Sequence, residues 1–276
     1  MKITVLTLGL LAVAAAFVLL LWQEQPRNSS WQPIRDRGVL RVGFAVEAPY
    51  SYLTEQGDIS GQSPAVIEQT ANNLGIKRVE WVLVPFAELI PSLLERRFDM
   101  IGTSIFVTEP RSQQILFADP FVWVAPGMLS RADVAQGHWR SHRDFLLHSR
   151  GKIAVLTGSV EHRHLAATLP ADRLLTVADV YAGRNAVIDG SAAALTLSVP
   201  ALRWLAESAS VELTVTHLPA GLTQPLATMP SAFAFHPEDA ALLPDWNRAQ
   251  AEVLTEQELS AMLHQLGFSD PTSADV

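Results

Sequence analysis

An arginine stands where an apolar strand turns into a helix. In "TSIFVTEPRS", residues 103–112, Ile105, Phe106 and Val107 read as a buried strand end, Thr108 as a helix N-cap and Pro110 as a first-turn proline. Arg111 is thereby placed at the mouth between strand and helix, where α/β sheets usually meet their ligands. A guanidinium is a rigid fork of donors, so the chemistry it suits is two-point recognition of a planar anion. A second strand-to-helix turn, Thr157-Gly158-Ser159, would present backbone N–H groups and a helix N-terminus to an anion. Glu47 follows the apolar run "VLRVGFA", where an unpaired carboxylate is costly. The plain alternative makes Arg111 a solvated first-turn residue and Gly158 an ordinary turn glycine.

Groups so far apart in the chain need a scaffold that brings strand ends together. Residues 39–45 predict a strand, 63–76 a helix ending near Gly75, 79–86 a strand, 87–98 a helix containing Pro91, and 99–107 a strand. After a polar stretch at 130–149 the pattern returns: strands at 152–158, 173–178 and 192–198 alternate with helices at 159–169, 180–190 and 199–209. A strand at 231–235 and an apolar-periodic helical stretch at 239–268 close the chain. Two βαβαβ units imply two mainly parallel sheets flanked by helices, an α/β fold. Joined near residues 125 and 230, they would leave a cleft of the kind that holds small molecules.

Composition narrows the function. With 276 residues, 49% of them apolar, the chain can bury a sizeable core. A net charge of −8 without a dense Lys/Arg stretch argues against a nucleic-acid partner, which needs clustered cations. No cysteine is present, so there is no disulfide framework and no thiolate metal site. Residues 3–22, "ITVLTLGLLAVAAAFVLLLW", are uncharged and about as long as a membrane-crossing helix. Residues 1–22 are therefore expected to be an uncleaved inner-membrane anchor, with the body of the protein in the periplasm. Cleavage as a signal peptide near Ala14-Ala15-Ala16 is the alternative, although it would leave "FVLLLW" on the mature end. The polar residues 23–33 suit a tether.

Several stretches together resemble a known family. "GVLRVGFAVEAPYSY", "LIPSLLERRFDMIGTSIFVTEPR" with "ILFADPF", "KIAVLTGSVE", and "SAFAFHPEDAALLPDWNRA" with "LHQLGF" are similar to the family-3 solute-binding proteins of ABC transporters, above all the polar amino acid group. The resemblance spans roughly residues 36–268 and is specific only in combination. It implies a two-lobed periplasmic-binding-protein fold of type II that closes on a ligand. Lobe 1 would take residues 34–124 and 231–270, and lobe 2 residues 125–230. It further implies that Arg111 grips the ligand carboxylate, although Glu109-Pro110 reverses the order common in the family. The partners implied are a small zwitterionic ligand and a transporter permease, with no cofactor.

The departures refine the ligand. Amino-acid binders usually carry an aspartate in a "D-x-P"-like turn of lobe 2 for the α-ammonium; here the turn reads Ser198-Val199-Pro200. Gly61-Gln62-Ser63-Pro64 replaces the usual "G-F-D-x-D", and Phe106 stands where a hydroxyl residue is common. These changes resemble the ectoine-binding branch, whose "N-E-P-P-F"-like motif is matched by Glu47 and Tyr50 in Val46-Glu47-Ala48-Pro49-Tyr50. Its phenylalanine five residues before the arginine is matched by Phe106. The resemblance thus implies that Glu47 pairs with a delocalised cation while Tyr50 and Phe106 offer it ring faces. Core packing is the ordinary alternative for both rings, and Tyr52 is a further cleft candidate.

Two other functions remain open on the same fold. The family includes cyclohexadienyl dehydratases, in which a "G-G-T-x-E"-like turn supplies a catalytic glutamate, and Glu161 occupies that place. Ectoine-type binders also have an acid there. A membrane-tethered sensory receptor would share the anchor, but no kinase, cyclase or transglycosylase segment follows. No metal site is expected, since His138 and His142, like His162 and His164, lack completing ligands. Binding without catalysis is the leading expectation.

Overall fold

The computed structural model describes residues 31–135, 151–217 and 228–255, together with residue 261. The apolar stretch 3–22, His138 and His142, and the chain end past 261 lie outside the described residues. Among those described, no helix is long and apolar enough to cross a membrane.

The first unit opens with α1 (Gln32–Arg37) and β1 (Val39–Phe44), followed by a short hairpin of β2 (Tyr52–Leu53) and β3 (Ile59–Ser60). Next come α2 (Gln62–Asn73), β4 (Arg78–Leu83), α3 (Leu89–Leu94) and β5 (Met100–Phe106). A single turn of helix, α4 (Glu109–Ser112), leads to β6 (Leu116–Phe117) and β7 (Val122–Val124). The chain then enters the second unit through β8 (Pro126–Arg131), which continues into α5 (Ala132–Ala135). There β9 (Ile153–Leu156), α6 (Val160–Thr168), β10 (Leu174–Val177), α7 (Val180–Ile188), β11 (Ala194–Ser198), α8 (Val199–Glu207) and β12 (Leu213–His217) follow in order. Finally β13 (Met229–Phe235) returns to the first unit and α9 (Leu243–Leu254) packs on it.

Each sheet has a parallel core. β4, β1 and β5 lie side by side and parallel in the first, as do β10, β9 and β11 in the second. β5, β9 and β11 are buried on both faces; β9, "IAVL", is accordingly apolar throughout, while β5 and β11 also bury Thr103, Ser104, Thr196 and Ser198. Antiparallel strands extend both cores: β13 pairs with β5, β6 and β7, while β8 and β12 add to the edge of β11. The order β4-β1-β5-β13-β6 draws the end of the chain into the first sheet; the other reads β10-β9-β11-β8-β12.

Sequence periodicity located the parallel strands and missed β8 and β12. β8 begins "PG", two residues that weaken a strand reading, and Pro126 is tolerated because it is the first residue of its strand. β12, "LTVTH", alternates by two and was legible in principle. The helix expected over 87–98 is shorter than predicted: a 3₁₀ turn at Phe86–Glu88 precedes α3, and Arg96 ends it with φ of 58°. That residue is held by ion pairs to Glu238 and Asp239 beyond β13. Long-range pairing thus overrides the local helix signal.

The C-terminal helix is bolted to the first unit by aromatics. Trp246 of α9 is fully buried; its ring lies 6.0 Å from Trp31 and 5.4 Å from Phe235. Its indole N–H donates to Gln250, whose amide in turn donates to the Asp119 carbonyl.

Candidate functional site

The C-terminal ends of β1, β5, β9 and β11 converge on one cavity between the two units. Glu47 and Tyr50 reach it from the loop after β1, and Phe106 and Arg111 from the end of β5 and α4. Ser159 and Glu161 come from the start of α6, and Ser198 from the end of β11. The enclosed volume is about 20 Å³, room for about one water, so a larger solute is admitted only if the lobes part.

The loop carrying Glu47 and Tyr50 is held tightly. The Glu47 N–H donates to the Ser51 carbonyl and Ser51 N–H donates back, while Ser51 Oγ donates to the Ala45 carbonyl at 2.8 Å. The first N–H groups of α2, from Gln62 and Ser63, donate to the carbonyls of Pro49 and Tyr50. Gly61 makes this approach possible. Its φ is 120°, and a Cβ there would lie 2.7 Å from both of those carbonyl oxygens.

Arg111 is 3% exposed and bridges the units. Its guanidinium donates to the Phe106 carbonyl at 2.9 Å and, across the cleft, to the Gly158 carbonyl at 3.3 Å. The Phe86 ring lies 5.8 Å from its centre. Burial lowers its pKa to about 10, with Glu161 and Glu47 opposing that shift and Arg163 adding to it. Thr108 does stand at the N-cap position, but its hydroxyl makes no cap bond.

Two buried carboxyls face this one arginine. Burial, then the charge of Glu161, pushes Glu47 up to about 8, while Arg111 and the Ser198 hydroxyl pull the other way. Burial raises Glu161 too, offset in part by its own N–H, Ser159 and Arg111. Glu161 Oε1 and Ser198 Oγ are buried without a hydrogen bond of good geometry, although Ser198 lies close enough to Glu47 and Tyr50 to favour their charged forms. With all three groups ionised the cavity would carry one net negative charge, so burial favours a proton on one carboxyl.

The turn before α6 is arranged differently from expectation. Thr157 is exposed and does not line the cavity: its N–H and hydroxyl both donate to the Val177 carbonyl, at 2.9 and 3.0 Å. The Gly158 N–H points to His162 Nδ1 at 3.4 Å and the Ser159 N–H to the Leu156 carbonyl, so neither is turned toward the cleft. What Gly158 presents to Arg111 is its carbonyl. Ser159 lines the cavity and also caps α6, its hydroxyl accepting from the His162 N–H at 3.0 Å.

Sequence reading missed Phe86, Ser104 and Ser231, which also line the cavity. Phe86 falls at the end of the strand that the sequence predicts over 79–86, and an aromatic there beside Pro85 is the signal for it, although β4 stops at Leu83 and Phe86 opens the 3₁₀ turn. Ser104 and Ser231, joined by a 2.8 Å hydrogen bond between adjacent antiparallel strands, carry no local signal.

Tyr52 lies outside the cavity yet spans the units, its ring 5.0 Å from that of Trp204 on α8. Such a pair contributes about 0.5 to 1.5 kcal/mol, so Trp204→Ala should shift the open–closed balance toward open by about two- to tenfold. Energy transfer between dyes on the two lobes measures this, and an unchanged distance distribution would deny the pair that role.

The profile of the family described as "Bacterial extracellular solute-binding proteins, family 3" matches residues 40–267. A probable amino-acid ABC transporter periplasmic-binding protein of Sinorhizobium fredii is 28% identical over 262 residues, covering 93% of this chain and 86% of that one. The cyclohexadienyl dehydratase of Pseudomonas aeruginosa is 30% identical over 112 residues, 40% of this chain and 41% of that one. Among solved structures, EhuB in complex with hydroxyectoine superposes with a TM-score of 0.76 at 23% identity, covering 88% of this chain and 94% of that chain. This likeness identifies the fold as a type II periplasmic-binding-protein fold.

Proposed function

The chain belongs to the bacterial extracellular solute-binding proteins of family 3, and from that membership and the chemistry of the cleft we propose that it captures a small zwitterion with a delocalised or alkylated cation and passes it to an ABC-transporter permease. Residues 3–22 would hold it at the membrane, with the lobes on the periplasmic side. The observation that carries the reading is Ser198, buried at the start of α8 in the cavity wall, where amino-acid binders of the family place an anion.

In this reading Arg111 takes the ligand carboxylate, using donors not already given to the Phe106 and Gly158 carbonyls. Glu47 takes the cation, and Tyr50, Phe86 and Phe106 supply ring faces around it. A primary ammonium is strongly hydrated and asks for several acceptors when it is buried, whereas an alkylated or amidinium-like cation is satisfied by one carboxylate and aromatic faces. A likeness to EhuB, whose structure contains hydroxyectoine, supports the same class.

Calorimetry with ectoine, glycine betaine, glutamine and histidine tests this. Ectoine or glycine betaine should bind at least tenfold more tightly than either amino acid, about 1.4 kcal/mol. Tighter binding of glutamine or histidine would defeat the reading and would assign the α-ammonium to Glu161. A dehydratase is the second reading. It is favoured by Glu161, whose buried carboxyl is biased toward the protonated form and whose Oε1 has no partner, as a proton donor requires. Prephenate in the same panel, with product analysis, separates turnover from binding.

A further inference from the structure

Arg111 is also part of the wall of a second and larger space. Outside the inner cavity, a groove of about 380 Å³ runs between α3 of the first unit and the start of α6 in the second. That is within the usual range for small-molecule sites. Phe86, Ile90, Leu94 and Ile105 supply its apolar lining, and Leu94 is left 38% exposed. Among the described residues its charged groups are two guanidiniums, Arg111 and Arg163, and no acidic residue lines it.

That pairing of like charges is unfavourable as it stands. Arg163 is exposed, in the first turn of α6, the end of a helix whose dipole disfavours a cation. It also acts on Arg111 as a repelling charge. Glu47 and Glu161 compensate Arg111 from the inner cavity and neither lines the groove. An anion between the two guanidiniums would relieve the repulsion, and an apolar body attached to it would cover Leu94 and Ile90.

We propose that this groove is a separate subsite for a small organic monoanion with an apolar body, an aliphatic or arylacetic carboxylate, its acid group between Arg111 and Arg163 and its chain along α3. The subsite shares Arg111 with the zwitterion cavity but does not rest on the identity of the cleft ligand.

Sodium hexanoate, titrated calorimetrically into the full-length protein with and without saturating glycine betaine, is the probe, and hexanol is the uncharged control. Hexanoate should bind at one site, tighter than hexanol, and still bind in the presence of glycine betaine. Arg163→Gln and Leu94→Asn should each weaken it by at least about fivefold while the affinity for cleft solutes is kept. Absence of saturable hexanoate binding, an affinity unchanged from the parent in both variants, or displacement by glycine betaine would overturn the proposal; displacement would place the acid on the inner side of Arg111. Failure of glycine betaine itself to bind bears on the cleft reading alone.

Discussion

Replacing Arg111 with alanine should weaken solute binding by more than about a hundredfold while both lobes still fold. Truncating one member of a buried, hydrogen-bonded charge pair costs about 2 to 5 kcal/mol, because the partner is left desolvated and alone. Here two losses coincide. In the proposed complex the ligand carboxylate would lose the one guanidinium that lines the inner cavity among the described residues, and the contact to the Gly158 carbonyl that ties the lobes across the cleft disappears with it. The fold should survive, since the parallel cores and the Trp246 cluster lie elsewhere and a proton on Glu47 or Glu161 can replace the missing cation. Arg111→Lys should recover only part of the affinity, as an ammonium cannot make the two-point contact. Calorimetry with the best-binding solute, beside circular dichroism, reads both effects; an unaltered dissociation constant would remove Arg111 from the site.

A comparably large effect is expected in the pH dependence of stability. Burial and Glu161 push Glu47 up to about 8 in the folded protein, against a reference value of 4.5. Between those values the folded protein holds a proton that the unfolded chain has released, so stability falls as pH rises through the window. Below it both states are protonated and above it both are ionised, so the slope ends at each side. At about 1.4 kcal/mol per pH unit, the loss across the window is on the order of 5 kcal/mol. Glu47→Gln should flatten this profile and be more stable than the parent at pH 8. A residual slope of the same sign should remain from Glu161, which burial also raises. Urea titrations at pH 5, 6, 7 and 8 measure the profiles, and parallel curves for parent and variant would sink the idea. In the proposed complex the same physics would tie the penalty to function: a cation bound beside Glu47 would favour its ionised form, so ligand capture would offset the cost of burying it and release a proton.

Much of the site was legible because its residues sit at strand ends. Arg111 follows the apolar run of β5, Glu47 follows that of β1, and Ser198 closes that of β11; a period-two or fully apolar pattern announces where such a strand stops, and parallel strands bring those ends to one edge. The resemblance to a family then attached roles to these positions that pattern alone does not supply. Thr157 shows what a strand end alone does not fix. It belongs to the right turn, yet its hydroxyl is bound to β10, a pairing set by the register between strands twenty residues apart in sequence.

What the sequence determined by itself is therefore local: two alternating α/β runs, the mouths of their strands, and a charged group at several of those mouths. These follow from hydrophobic periodicity and capping chemistry, which act over a few residues. The tertiary structure decided the rest. It drew β13 in beside β5, placing Ser231 against Ser104, and it turned the Gly158 carbonyl rather than its N–H toward Arg111. It also brought Phe86 under the guanidinium and set two carboxyls around one arginine, where burial pushes both pKa values up. These outcomes depend on strand register and on how the two lobes meet, and such long-range packing energies leave no periodic trace in the chain.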